Sequence, residues 1–593
     1  MRTRRFGPEL DQSGVTFRLW APNAKRVALV ADESSAMQDA GDGWFELHRK
    51  GAGAGAQYQF RIDDEITVPD PASHFQPRDV QGPSEVVSHA YAWRCEGWKG
   101  RPWSETVILE IHVGTFTPSG TFCGVIERLD DIVATGITAI ELMPLADFPG
   151  SRNWGYDGVL LFAPESSYGR PEDLKALIDA AHERGLMVFL DVVYNHFGPE
   201  GNYLPRLAPS FFTSHHHTPW GDAIDYRVKD VRTFVVENAL HWLEHYRFDG
   251  LRLDAVHAIT EPGDPPILEE ISRAVGVLAQ ATGRRIHIVL ENDDNKASLL
   301  DPGSETPSGR YRAQWNDDYH HAWHVLLSGE AGGYYSDYAT EPLKQIARSL
   351  CHGFIYQGDP SAHRKGVPRG EASHHLPPTA FVNFLQNHDQ IGNRAYGDRL
   401  TTLALAESLE AALTITLLAP AIPLLFMGDE WGSKQPFPFF CDFTGELADA
   451  VRRGRRAEFE AQFANLSEAN APPDPLSEAT FQSAVLDWSE RDNEPHATRL
   501  ALVRKLLALR QRSIVPLLAH VSPGQVGYCE QGVLHVFWPV EKGQALHLVT
   551  NRGADDAAAP KLPLPAQMIW GDALPDRLPG WSAFWFMGRI DAA

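Results

Sequence analysis

The chain has 593 residues, 43% hydrophobic and 22% charged, with a formal net charge of -24. Such a composition is globular rather than disordered, and the length allows three or more domains with a core that needs no disulfide or metal staple. An acidic surface of this kind repels nucleic acid and anionic membranes, so neither is an expected partner; it suits a neutral substrate without identifying one.

The N-terminal segment MRTRRFGPELDQSG is basic but is followed by no apolar run of the kind a secretory signal needs. The next stretch, to residue 95, reads as a small β-sandwich: VTFRLWAP, RVALV, WFELH and YQFRID are short strand-like runs separated by Gly, Asn and Asp. A Pro- and Gly-rich linker, VPDPASHFQPRDVQGPSE, leads into the central region.

There the rhythm changes. ILEIHVGTF, ITAIELMPL, LMVFLDVVYNH, FDGLRLDAV, IHIVLEND, FVNFLQNHD and IPLLFMGDE are apolar on both parities, which predicts strands buried on both faces of a parallel sheet. Helical patterns separate several of them. In RPEDLKALIDAAHERG, Leu174, Leu177, Ile178 and Ala181 share one helix face, with Pro171 suited to the first turn and Gly185 to the stop. Val231, Phe234, Val235, Trp242 and Tyr246 mark another helix before FDGLRLDAV. Repeated βα units over some 320 residues predict an α/β fold, a (β/α)8 TIM barrel, whose remaining strand, the sixth, is placed near RAQWNDDYHHA. The apolar run from Leu413 to Met427 is broken by Pro420 and Pro423, so it is read as a helix end and a buried strand rather than a membrane span. GELADAVRRGRRAEFEAQF reads as an exposed helix, and GVLHVFWPV, ALHLVTN and WSAFWFMG as strands of a C-terminal β domain. The expected domains are 1–95, the barrel with a helical extension over 96–514, and 515–593. Five scattered cysteines with no Cys-x-x-Cys pair fit a reducing, cytoplasmic setting.

Barrel chemistry gathers at the C-terminal ends of the strands. Strand three ends in Asp191, Asn195 and His196, strand four carries Arg252, Asp254 and His257, strand five ends in Glu291, and strand seven in Asn387, His388 and Asp389. One carboxylate at the end of an apolar strand is most often a structural ion pair; three on separate strands at one barrel end point to function. Arg252 and Asp254 are two residues apart and share a strand face, so the guanidinium favours an ionised Asp254, suited to nucleophilic attack. Glu291 follows IHIVL, and an apolar surround would keep it protonated as a general acid. One ionised and one protonated carboxyl is what glycoside hydrolysis requires.

DVVYNH, GLRLDAVHA, VLENDDN and QNHDQIGNR, in that order, resemble the four sequence motifs of the α-amylase superfamily of glycoside hydrolases, over residues of about 100 to 440. The resemblance implies a retaining mechanism with Asp254 as nucleophile, Glu291 as acid/base and Asp389 as transition-state stabiliser. It also implies that Asp191, His196, Arg252, His257, Asn387 and His388 bind substrate and that Tyr156, in NWGYDG, stacks on the same sugar. Within that superfamily FRLWAPNAKRVALV, DPASHFQPRDVQGPSEV, EIHVGTFTPSGTF, ELMPLADFPGSRNWGYDGV and QWNDDYHHAWHVLLSGE are similar to the maltooligosyltrehalose trehalohydrolases. This implies hydrolysis of the α-1,4 bond next to a terminal trehalose, and pathway coupling to a maltooligosyltrehalose synthase. The alternatives are a glycogen branching enzyme, which resembles the chain in both N-terminal domain and barrel, and a non-catalytic glucan-binding protein, which would need no intact carboxylate trio. No cofactor and no metal is expected: His215, His216 and His217 are adjacent, and Asn195 resembles a calcium-binding position without an acidic ligand loop around it. Trp154, Trp220 and Trp315 are candidates for stacking on sugar.

Overall fold

The computed structural model describes residues 4–218, 221–260, 262–304, 306–463 and 471–590. Its N-terminal part is two antiparallel sheets face to face. One pairs Glu9–Leu10, Gly14–Trp20, Trp44–Lys50 and Gln38–Gly41; the other pairs Ser34–Ala36, Val27–Val30, Gln57–Ile62 and Ile66–Val68, with Ser84–Glu85 added to Gln57–Ile62. Alternation makes the sandwich: Val15, Phe17 and Leu19 point inward and meet Leu29, Tyr58 and Phe60 of the opposite sheet.

The central region is a closed eight-stranded parallel barrel. Its strands are β1 (Ile108–Ile111), β2 (Ala139–Leu142), β3 (Met187–Val192), β4 (Gly250–Leu253), β5 (His287–Leu290), β6 (Ala313–Trp315), β7 (Phe381–Asn383) and β8 (Ile422–Phe426). The sixth strand lies where RAQWN places it, and the run from Leu413 divides into the end of helix Ala406–Leu418 and β8. Pleating sorts each strand into two faces. Ile108, Ala139, Met187, Phe189, Val289, Ala313, Val382, Ile422 and Leu424 fill the barrel interior. Leu109, Ile140, Val188, Leu190, Leu251, Leu253, Ile288 and Leu290 pack outward against the helices. Helix α1 (Pro171–Glu183) has Pro171 in its first turn, and Gly185 just past its end takes φ +74°, which lets the chain turn into β3. Helix α2 (Lys229–His245) buries Val231, Phe234, Val235 and Trp242. The C-terminal part is a five-stranded antiparallel sheet containing Gln525–Glu530, Val533–Pro539, Gln544–Asn551, Ser582–Arg589 and Gln567–Trp570. Among the described residues no helix is long and apolar enough to cross a membrane.

At the end of the barrel where β4 begins, Asp249 is fully buried. Its carboxylate accepts from Trp98 Nε1 at 2.7 Å, Val188 N at 2.9 Å and His182 Nε2 at 2.9 Å. Burial alone would raise its pKa, but the His182 ring and Arg284 outweigh burial and the pKa is lowered. This contribution to stability is therefore present above the ordinary carboxylate range and is lost only as pH falls through the depressed value. Asp249→Asn is expected to cost about 3–5 kcal/mol, because it leaves buried donors without their charge, and to change turnover per folded molecule less than twofold. Chemical denaturation with an activity assay checks both; an undiminished denaturation midpoint would remove Asp249 from the barrel's foundations.

Candidate active site

A cavity of ≈ 510 Å³ opens at the C-terminal ends of the strands and is lined by Asp254, Glu291 and Asp389 together. Tyr156, His196, Arg252, His257, Asn387 and His388 also line it. Asp191 does not: it is buried beneath the floor, where Arg252 Nη1 donates to it at 2.7 Å and Tyr156 Oη at 2.6 Å. It acts on the cavity through those two side chains.

Arg252 is the organising charge. Its Nη1 also donates to Asp254 Oδ1 at 2.8 Å, its Nη2 lies 3.6 Å from Glu291 Oε2, and its guanidinium sits 4.2 Å over the Trp315 ring. Asp254 is held on its other oxygen as well: Asn195 Nδ2 donates to Oδ2 at 2.8 Å and to the Asp254 carbonyl at 2.9 Å. Burial would push the Asp254 carboxyl up, but the Arg252 charge, the His196 ring and the Asn195 hydrogen bond overcome it, and its pKa is lowered. Glu291 goes the other way. Burial raises its pKa well above the ordinary value; Arg252 opposes this, whereas Asp254 and Asp317 add to it. One carboxyl is thus biased toward its ionised form and the other toward its protonated form within a single cavity, the division that acid-assisted displacement needs.

The backbone fixes how these two groups face each other. Ala255, directly after Asp254, adopts a left-handed conformation with φ +40° and ψ +48°, and its N–H donates to Glu291 Oε2 at 2.6 Å. A non-glycine residue held there is strained, and such strain persists only where surrounding contacts enforce it. Asp389 sits in a short helical turn, His388–Gly392, capped by Asn387: Asn387 Oδ1 accepts from the Asp389 N–H at 2.9 Å. Asn387 therefore supports the turn that presents His388 and Asp389. His196 Nε2 meets the Tyr156 carbonyl at 2.8 Å, and its Nδ1 pairs with Asn195 Oδ1. His257 Nδ1 accepts from the Asp293 N–H at 3.2 Å.

The aromatic candidates divide. Trp154 and Trp315 both line the cavity, but Trp315 carries Arg252 on its face, and Trp154 packs edge-on to His388 while donating to the Pro438 carbonyl. Tyr156 stacks on the His388 ring at 5.2 Å. Trp220 lies outside the described residues. His215 and His216 are exposed on the hairpin of Phe212–Thr218 and Gly221–Ile224, away from the cavity lining; the His217 side chain lies outside the described residues. A different trio, His74, His89 and His241, brings its ring nitrogens within 4.8 Å of one another where the linker meets α2. Burial lowers the pKa of all three rings, and Arg4 lowers each of them further.

Sequence reasoning misses a second layer. Asp317, in the first turn of the helix after β6, is raised to about 7 by burial and by Asp293 and Asp389. Asp293 is gripped by Arg364 and Arg369, and all three line the cavity with Tyr334 and His363. Arg364 and Arg369 come from a loop some 70 residues downstream of Asp293, and no local pattern announces that meeting. Glu110 and Glu141, on β1 and β2, did have a signal: each is a lone charge within an apolar strand.

The Alpha-amylase catalytic-domain family matches residues 90–215, and Carbohydrate-binding module 48 (isoamylase N-terminal domain) matches residues 5–92. A malto-oligosyltrehalose trehalohydrolase of Saccharolobus solfataricus is 41% identical over 82% of this chain and 84% of its own length. One of Deinococcus radiodurans is 40% identical over 93% and 90%. A crystal structure from Salmonella typhimurium, provisionally named an alpha amylase, superposes with a TM-score of 0.94 at 44% identity, covering 99% of this chain and all of that one. A 1,4-alpha-glucan branching enzyme of Mycobacterium bovis matches at 34% identity over only 41% of the chain and 37% of its own length.

The geometry assigns Arg252 the task of keeping Asp254 charged. In an Arg252→Met variant the acidic limb of the pH–rate profile is expected to move to higher pH, because the carboxyl loses its nearest cation. An unmoved limb would mean that His196 and Asn195 suffice.

Proposed function

The chain belongs to the malto-oligosyltrehalose trehalohydrolase family, and we propose that it hydrolyses the α-1,4-glucosidic bond next to the terminal trehalose of a maltooligosyltrehalose, releasing trehalose. The observation that carries the mechanism is the opposite tuning of Asp254 and Glu291 around one cavity. In this reading Asp254 attacks the anomeric carbon of the glucose on the non-reducing side of the scissile bond. Glu291 gives its proton to the departing oxygen of trehalose, and a glycosyl ester on Asp254 results. Glu291, now a carboxylate, takes a proton from water, which attacks the same carbon and returns Asp254 to its ionised form. Asp389 steadies positive charge on the sugar ring in both steps, and Tyr156, His196, Arg252, His257, Asn387 and His388 hold the glucose being transferred. Asp191 supports them from below.

The branching-enzyme alternative uses the same carboxylates but sends a sugar hydroxyl, not water, to the ester. The partial extent of that likeness, against near-full-length likeness to trehalohydrolases, favours the hydrolase. We assign residues 1–95 to the carbohydrate-binding module, 96–514 to the catalytic barrel and its helical extension, and 515–593 to the C-terminal β domain. The five cysteines, all unpaired, support a reducing compartment.

Maltooligosyltrehalose has no reducing end, so each cleavage should yield one trehalose and one new reducing end, seen first as the α-anomer because two inversions give net retention. Early-time proton NMR follows both signals. A branching enzyme would create no net reducing ends, and an initial β-anomer would exclude a covalent ester on Asp254. Asp254→Asn is expected to lower kcat by about 10⁴-fold or more. The wild-type rate should be bell-shaped in pH, falling at low pH as Asp254 is protonated and at high pH as Glu291 ionises. Glu291→Gln should abolish the basic limb and spare a glucosyl fluoride, whose leaving group needs little proton help. Equal loss on both substrates counts against Glu291 as the acid.

A further inference from the structure

Beneath the cavity, two glutamates that touch no part of it stand side by side. Glu110 of β1 and Glu141 of β2 are paired in register and both about 1% exposed. They differ in what they hold. No described protein group hydrogen-bonds to either carboxyl oxygen of Glu141. Glu110 grips His388 twice: Oε2 accepts the His388 backbone N–H at 3.1 Å, and Oε1 accepts from ring Nδ1 at 2.5 Å. The far ring nitrogen, Nε2, lies 2.8 Å from the Tyr156 hydroxyl, and that hydroxyl donates to Asp191 at 2.6 Å. With its hydrogen committed to Asp191, the phenol oxygen can only accept from Nε2. Both imidazole nitrogens must then be donors, which is the protonated form of the ring.

We propose that Glu110 is a positioning residue of this active site, clamping His388 as a doubly donating imidazolium that fixes the Tyr156 hydroxyl and, through it, Asp191 and Arg252. The proposal rests on the hydrolytic reading of the cavity. Its chain runs Glu110, His388, Tyr156, Asp191, Arg252, Asp254, so the orientation of the attacking carboxylate begins three strands away, on β1. The charged and titratable groups facing the ring agree with its protonation. Burial works against charge on His388, but Glu110 and then Asp389 outweigh it, with Arg252 opposing, and the pKa is raised. His112, at the end of β1, is lowered to about 4, mainly by burial, and so adds no competing charge at neutral pH. Burial raises Glu141 well above its ordinary range, with Glu110 and Asp191 adding to the effect. The neighbouring carboxyl is thus pushed toward its neutral form, and Glu110 keeps His388 as its hydrogen-bonded partner.

The test is nitrogen-15 NMR of the histidine rings in the full chain, with His388→Asn as the assignment control, beside steady-state kinetics of Glu110→Gln and Glu110→Asp. Wild type should show both His388 ring N–H groups at neutral pH, the Nδ1 proton strongly downfield. In Glu110→Gln that proton signal should vanish and the ring should titrate at lower pH. Its kcat/KM should fall about 10²-fold, the scale of an active site displaced by an ångström, with the loss mainly in kcat. Glu110→Asp, which keeps the charge, should recover part of the signal and part of the rate. A singly protonated His388 in wild type at neutral pH overturns the proposal, as does Glu110→Gln with an unchanged ring titration and a kcat/KM within twofold of wild type. If Glu110→Gln does not fold, Glu110→Asp decides: a lost imidazolium signal in a folded variant that keeps wild-type turnover rejects the role. Should wild type release no trehalose, the substrate reading falls, while the ring signals still judge Glu110.

Discussion

Arg252 is buried at the floor of the cavity among Asp191, Asp254 and Glu291, with the Trp315 ring beneath it. A guanidinium in that position would be costly unless its charge were matched. The matching is uneven, and the unevenness is useful. Asp254 receives a close hydrogen bond and stays ionised; Glu291, at 3.6 Å and in contact with the Ala255 N–H, receives too little charge to offset its own burial. Asp191, though bonded to Arg252, is still pushed up to about 6 by burial. One cation is thus divided among three carboxyls, and the opposite tuning of Asp254 and Glu291 arises from that division; in the proposed mechanism this is what separates nucleophile from acid.

The barrel exists to make such a division possible. Seven of its strands were legible because strands buried on both faces read as continuous apolar runs; the sixth, placed near RAQWNDDYHHA, is fainter because Gln314 interrupts its apolar pattern, and it ends in a tryptophan that serves the site as well as the core. Within the runs, pleating put Arg252 inside and Leu251 and Leu253 outside, as a two-residue spacing requires. Asp249 closes the opposite end with donors from three other segments. The fold separates the two jobs: charge is satisfied at the bottom and left partly unsatisfied at the top.

The carboxylate trio could be read from sequence because each member ends an apolar strand or follows one within a few residues. Asp191 was legible as a residue of the site, but not its place below the floor; depth depends on how far β3 rises relative to β4, and register between strands is not written in either. Asn195 resembled a calcium position; here its Nδ2 donates to Asp254 and its Oδ1 pairs with the His196 ring. The outer rim of Asp293, Arg364 and Arg369 was illegible, since it is assembled by a long loop whose ends carry no periodic signal. Glu110 and Glu141 were visible in principle, as charges at inward positions of apolar strands, once the parity of β1 and β2 is fixed by their neighbours Ile108 and Ala139.

The left-handed Ala255 has a mechanical meaning. Because its N–H holds the Glu291 carboxyl while its own peptide joins it to Asp254, the two residues are tied by one peptide and one hydrogen bond. In the proposed mechanism, the gap that a glycosidic bond must enter is then a property of two adjacent strands and one peptide. Loops that shape the entrance can be lengthened, shortened or recharged without altering it. Substrate choice and bond-breaking competence are thereby uncoupled, so a lineage could explore new sugars at the rim while inheriting an unchanged pair of jaws.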